Sequence, residues 1–186
     1  SDGSAASSFW DNTLEVAKVY YKEKTGEDLY AYGEILNDCE NGRKLSIYTD
    51  KYFGVTDNQY SDFVITKAGS KKVQEIAKQD YFKETTADKL VLWAESHDNY
   101  AGDGSKNMSI QDINKTWALV AARADAMSLY LARPSNFYPQ KLGEATMSGW
   151  NNNEVAVINR FHNDFVGQGE YVSNENGIAY VERGTS

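Results

Sequence analysis

Two carboxylates stand where short apolar segments end. Glu34 closes the stretch at residues 28–36 (DLYAYGEIL), and Asp98 follows the run at residues 89–96 (KLVLWAES), with His97 beside it. A carboxylate pair next to a histidine suits acid–base work on a sugar. Glycosidic cleavage takes one protonated carboxyl to give a proton to the leaving oxygen and a second carboxylate on the opposite face of the ring. Tyr30, Tyr32 and Ile35 give Glu34 the apolar neighbours such an acid uses, and the His97 ring offers N–H donors to hydroxyls. The plainer roles are also open at these positions. A Glu at a strand end is a surface salt-bridge partner, and a loop Asp is a helix cap or turn former.

Other chemistries find less support. Cys39 is the single cysteine and His97 and His162 are the only histidines, far apart in sequence, so neither an internal disulfide nor a thiolate or two-histidine metal site is expected. No Gly-rich phosphate loop of the GxGxxG or Walker type occurs. The 186 residues carry 19 Lys+Arg against 27 Asp+Glu, a net charge of −8, which makes nucleic acid and anionic membrane poor partners. No apolar run approaches the roughly 18 residues that span a bilayer. With 13 Tyr and 4 Trp, a neutral, hydroxyl-rich ligand fits better. The small, polar start at residues 1–8 has no leader-like pattern.

The elements that must position these groups alternate between helix and strand. Ser7 or Ser8 caps a first helix with Trp10, Leu14, Ala17 and Tyr21 on one face, stopped at Gly26. Strands are expected at 28–36, within 48–56, at 89–94 and at 126–132, the last two buried; residues 99–106 read as a glycine-rich loop. Asp57 caps a helix that breaks at Gly69, and residues 73–81 read as another helical turn or two. Ser109 caps the clearest helix, with Ile110, Ile113, Trp117, Val120 and Ala124 along one side, and Asn153 caps another. Trp10, Trp117 and Phe165 fall on helical core faces, Trp93 lies in a strand, and Trp150 stands in a polar loop as the candidate exposed platform. Such alternation predicts an α/β fold with a parallel sheet. About four strand–helix units are present, half of an eightfold barrel, and the pattern is also compatible with an open four-stranded sheet.

Four segments in this order, Tyr32-Gly33-Glu34-Ile35-Leu36, Trp93-Ala94-Glu95-Ser96-His97-Asp98-Asn99-Tyr100-Ala101, Leu131-Ala132-Arg133-Pro134 and Asn159-Arg160-Phe161-His162-Asn163, resemble the secreted bacterial α-amylases of glycoside hydrolase family 13, near the Bacillus subtilis type. The likeness in order and spacing runs over nearly the whole chain. It implies a (β/α)8 TIM barrel, present here as its second half (strands 5 to 8) over residues 1–168, with residues 169–186 starting a following β domain. The implied activity is endo-acting hydrolysis of α-1,4 links in starch with retention. Glu34 then matches the general acid/base, Asp98 the carboxylate that grips the sugar in subsite −1 and steadies the oxocarbenium-like state, and His97 a binder of the same sugar. Arg133 and Pro134 match a stretch read as structural, and His162 a helix motif read as packing. The resemblance also implies an extracellular protein and a Ca2+ ion with ligands outside this chain.

One family feature has no counterpart. The nucleophilic aspartate belongs to a GFRFDAAKH-like segment after the fourth strand, and the chain contains none; Asp2 and Asp11 lie beyond its expected place and do not substitute. A companion polypeptide carrying the first half is therefore expected, because half a barrel leaves two strand edges and one face of its core uncovered. The alternative to an enzyme is an amylase-like fragment that binds glucan without cleaving it.

Overall fold

The computed structural model describes residues 8–36, 45–102, 104–134 and 148–184. Four strands, β1 (Tyr32–Gly33), β2 (Gly54–Thr56), β3 (Leu90–Leu92) and β4 (Met127–Ser128), form one parallel sheet in the order β1-β2-β3-β4. The register pairs Gly33 with Val55, Val55 with Leu90, and Leu92 with Ser128. Sequence-adjacent parallel strands need crossovers, and helices supply them. The α4 helix (Asn58–Gly69) lies between β2 and β3, and α5 (His97–Ala101) and α6 (Ile110–Ala122) lie between β3 and β4. A short α3 (Ser46–Thr49) precedes β2, and α7 (Asn153–Asp164) follows β4.

The helix boundaries have local causes. The Asp57 carboxylate accepts from the Tyr60 backbone N–H at 3.0 Å and opens α4, and Ser109 Oγ accepts from the Asp112 N–H at 3.2 Å and opens α6. The first helix begins with α1 (Ser8–Trp10), widens into a π-helical turn at Asp11–Glu15, and continues as α2 (Val16–Thr25). It ends at Gly26, whose left-handed φ of 78° only glycine adopts without strain. The α7 cap is Asn152 rather than Asn153, with its side chain accepting from the Glu154 N–H at 2.8 Å.

Successive strand residues face opposite sides of a sheet. Val55, Leu90 and Leu92 point to one side, where Tyr60, Val64, Trp117, Val120 and Val155 from the helices close over them, and this is the main core. On the other side Val91 and Trp93 are buried, yet Tyr32 is 49% exposed, Met127 44% and Leu129 45%. The expectation of a buried strand at 126–132 is therefore corrected: β4 is covered on the helix side only. The strands are also shorter than read from sequence. The stretch 28–36 pairs with β2 only from Ala31 to Gly33, because beyond Gly33 its backbone turns to other partners. The turn expected at 73–81 is a 3-10 turn at Val73–Ile76, and part of the expected loop at 99–106 belongs to α5.

A separate antiparallel pair, β5 (Gly169–Glu175) and β6 (Ile178–Gly184), closes through Asn176 and Gly177, both at positive φ as a two-residue hairpin turn requires. The pair is tied to α6. Glu170 takes Arg123 Nε at 3.0 Å and the Ala124 N–H at 2.7 Å, and Arg183 donates to the carbonyls of Ala122, Arg123, Phe165 and Gln168. No helix of the described residues is long and apolar enough to cross a membrane.

Candidate functional site

The carboxyl ends of four parallel strands meet at one rim, where the chain leaves the sheet and side chains from separate strands converge. A cleft of about 410 Å³ opens there. Tyr32 and Glu34 enter from β1, Thr56 from β2, Trp93 and residues 95–98 from β3, and residues 129–131 from β4. The three residues singled out from sequence, Glu34, His97 and Asp98, thus line the same cleft. All three are exposed to solvent.

Each is placed by its surroundings. Glu34 is the first residue past β1, so the parallel ladder aims its segment at the rim. His97 and Asp98 open α5, and a reciprocal cap fixes that turn: Ser96 Oγ accepts from the Asn99 N–H at 3.3 Å, while Asn99 Oδ1 accepts from the Ser96 N–H at 3.2 Å. Asn99 Oδ1 also takes the Trp93 indole N–H at 3.3 Å and the Ser96 hydroxyl at 3.0 Å. The Trp93 ring, buried as a cleft wall, is in this way locked to the turn that carries His97 and Asp98. The two side chains approach each other, His97 Nε2 to Asp98 Oδ1, at 3.5 Å.

Beneath them lies a buried ion pair. Arg133 donates to Glu95 through Nε at 2.7 Å and Nη2 at 2.5 Å, the bidentate geometry that suits guanidinium and carboxylate. The Ser105 hydroxyl completes the Glu95 shell, and the carbonyls of Met108 and Ser105 accept from Arg133 at 2.7 and 3.1 Å. The Arg133 guanidinium also rides over the Tyr100 ring, 5.0 Å from its centroid. Arg133 therefore ties the end of β4 to the end of β3 and to the 100–108 segment, the structural role read from its motif. Glu95 was not singled out in the sequence; its neighbours in Trp93-Ala94-Glu95-Ser96-His97-Asp98 were, and only burial beside an arginine 38 residues away separates it from them. Burial pushes the Tyr130 phenol up, with the Glu95 carboxylate adding to the effect and Arg133 opposing it. Tyr130 Oη donates to Asn114 Oδ1 at 3.1 Å and holds one cleft wall to α6.

Asp11 pairs with Lys51 at 2.6 Å and does not line the cleft, whereas Asp2 and Cys39 lie outside the described residues. His162 Nδ1 sits 2.8 Å from the Ala121 carbonyl, a contact that packs α7 on α6. Trp150 is exposed, and Trp117 is buried with its indole N–H on Asn159 Oδ1 at 3.0 Å. Among the described residues no three His, Cys, Asp or Glu side chains gather to hold a metal ion.

No family model matches the chain. It is 27% identical over 179 residues to an alpha-amylase of Clostridium acetobutylicum, a match covering 95% of this chain and 22% of that protein. It is 28% identical over 191 residues to an alpha-amylase of Butyrivibrio fibrisolvens, covering 91% of this chain and 19% of that one. The chain thus spans about a fifth of the length of these curated relatives, and over nearly all of itself it is similar to a part of an alpha-amylase.

Proposed function

We propose that this chain is the acid/base-bearing part of an α-amylase-type glycoside hydrolase that cleaves internal α-1,4 links of starch or maltooligosaccharides with retention. The observation that carries this reading is the convergence of Glu34, His97 and Asp98 on one cleft at the carboxyl rim of a parallel sheet, in a chain similar along its length to two alpha-amylases. Residues 1–168 are then the second half of a (β/α)8 barrel and residues 169–186 the first strands of a β domain. The uncovered sheet face bearing Tyr32, Met127 and Leu129 receives the first half, with the nucleophile and the Ca2+ ligands, from outside this chain. The protein acts outside the cell, where its polymeric substrate is.

In the first step the Glu34 carboxyl gives its proton to the leaving glycosidic oxygen while the nucleophilic carboxylate attacks the anomeric carbon. In the second, water attacks the anomeric carbon of the glycosyl–enzyme, its bond to the nucleophilic carboxylate breaks, and the Glu34 carboxylate takes the proton from that water. Asp98 accepts hydrogen bonds from hydroxyls of the sugar whose ring carries the developing positive charge, and His97 donates to the same sugar. Trp93 and Leu129 line the cleft and offer apolar surface to the faces of the ring.

Glu34→Gln in the catalytically complete protein tests this reading. Acid catalysis is worth about 10²–10⁴-fold, so turnover of maltooligosaccharide is expected to fall by that order with little change in binding. Unchanged turnover removes Glu34 from the role. Tight maltooligosaccharide binding with no new reducing ends, even when the missing half is supplied, marks a glucan-binding fragment instead.

A further inference from the structure

The backbone that carries Glu34 is held from outside its own strand. The register of β1 on β2 ends at Gly33, one residue short of Glu34. The next two carbonyls are taken by a single ammonium: Lys83 Nζ donates to Ile35 O at 2.8 Å and to Leu36 O at 3.3 Å. Lys83 is buried, at 4% exposure, in a segment without regular structure before β3. Lysine is rarely buried, because its charge is costly to remove from water and needs polar compensation.

That segment is seated in turn by Asp57. Asp57 is wholly buried and directly follows β2. Its Oδ1 caps α4, while its Oδ2 accepts from the N–H groups of Phe82 at 2.8 Å and Lys83 at 3.4 Å. A continuous set of contacts therefore runs from the end of β2 through Asp57 and Lys83 to the carbonyls immediately after Glu34. Where a short strand stops fixing the backbone, the buried cation takes over. The direction of a carboxyl leaving the chain at residue 34 depends on the torsions on either side of it, and these two carbonyls fix the following ones.

We propose that Lys83, seated by Asp57, is a positioning residue that holds Glu34 in line for proton delivery. The proposal rests on the acid/base reading of Glu34. Its test compares kcat/KM, which reports the bond-breaking step, for two substrates in the catalytically complete protein. A maltooligosaccharide loses a sugar alkoxide and needs the proton, whereas α-maltosyl fluoride loses fluoride and hardly needs it. A small misplacement of a catalytic group can cost about 10²-fold, so Lys83→Met is expected to lower kcat/KM for the oligosaccharide by about tenfold or more. For the fluoride the loss is expected to stay within about threefold, and Lys83→Arg restores much of the difference. Glu34→Gln serves as the reference and shows the same skew between substrates. If Glu34→Gln lowers both substrates alike, the acid reading itself fails. If Glu34→Gln is skewed but Lys83→Met lowers both alike or neither, the positioning role is overturned. Should Lys83→Met not fold, Asp57→Asn carries the same measurement. The amide oxygen keeps the α4 cap while its NH2 group no longer accepts from Phe82 and Lys83, and an unskewed ratio there overturns the proposal equally.

Discussion

The Glu95–Arg133 pair shows what a single side chain must do beneath an open cleft. Both members are buried, and among the described residues the arginine reaches acceptors on Glu95, Ser105 and Met108. Removing one partner of such a pair strands the other charge out of water, which costs about 3–5 kcal/mol. Arg133→Met is thus expected to lower the urea midpoint strongly, whereas joint replacement of Arg133 by Met and Glu95 by Leu costs less, because no lone charge remains. Equal losses in the single and double variants would contradict a coupled pair. At this scale the sequence was readable where position alone marks a residue. Glu34, His97 and Asp98 come soon after strand segments in the sequence, and the fold brings all three to one cleft. Glu95, Lys83 and Asp57 act through partners 25 to 48 residues away, and no local pattern announces a contact of that range.

Among the elements, helices were more legible than strands because their signals are local. Asp57 and Ser109 cap the helices they were expected to cap, through contacts three residues ahead. Strand length depends on what lies alongside, so the stretch 28–36 shrank to a two-residue ladder. The five-residue α5 was hidden in a polar, glycine-rich stretch, and only the Ser96/Asn99 cap marks it. The tight spacing of the sheet rests on Gly54. A Cβ there would lie 2.5 Å from the Tyr30 hydroxyl and 2.9 Å from the Lys89 carbonyl. Tyr30 could swing away, but the carbonyl is backbone of the neighbouring connection to β3. Gly54→Ala is therefore expected to destabilise the fold by about 1–3 kcal/mol, the range for overpacking. A thermal melt checks this, and an unchanged midpoint would mean that the sheet is free to spread at β2.

For the molecule as a whole, the two faces of the parallel sheet are unequal. One is sealed by α4, α6 and α7, and the other leaves Tyr32, Met127 and Leu129 open. The flanking helices repeat the theme, with Val16, Val19 and Tyr20 of α2 and Val157 of α7 turned to solvent. Apolar area removed from water contributes about 25 cal/mol per Å², and these side chains contribute little of it while they stay exposed. Large apolar side chains exposed at both outer strands, with Val91 and Trp93 buried between them, are where a covering surface would gain most. The 186-residue chain alone is accordingly expected to raise the fluorescence of anilinonaphthalene sulfonate, and to exchange the amide hydrogens around β1 and β4 faster than those of β3. If the chain is half of a barrel as proposed, a polypeptide carrying the other half is expected to remove the dye signal, slow exchange at both outer strands and raise the melting temperature together, because one surface is covered in all three. A monomeric chain that melts cooperatively, binds no dye and protects β1 and β4 as well as β3 would show that the open face is satisfied without a second half, and the barrel reading would fall with it.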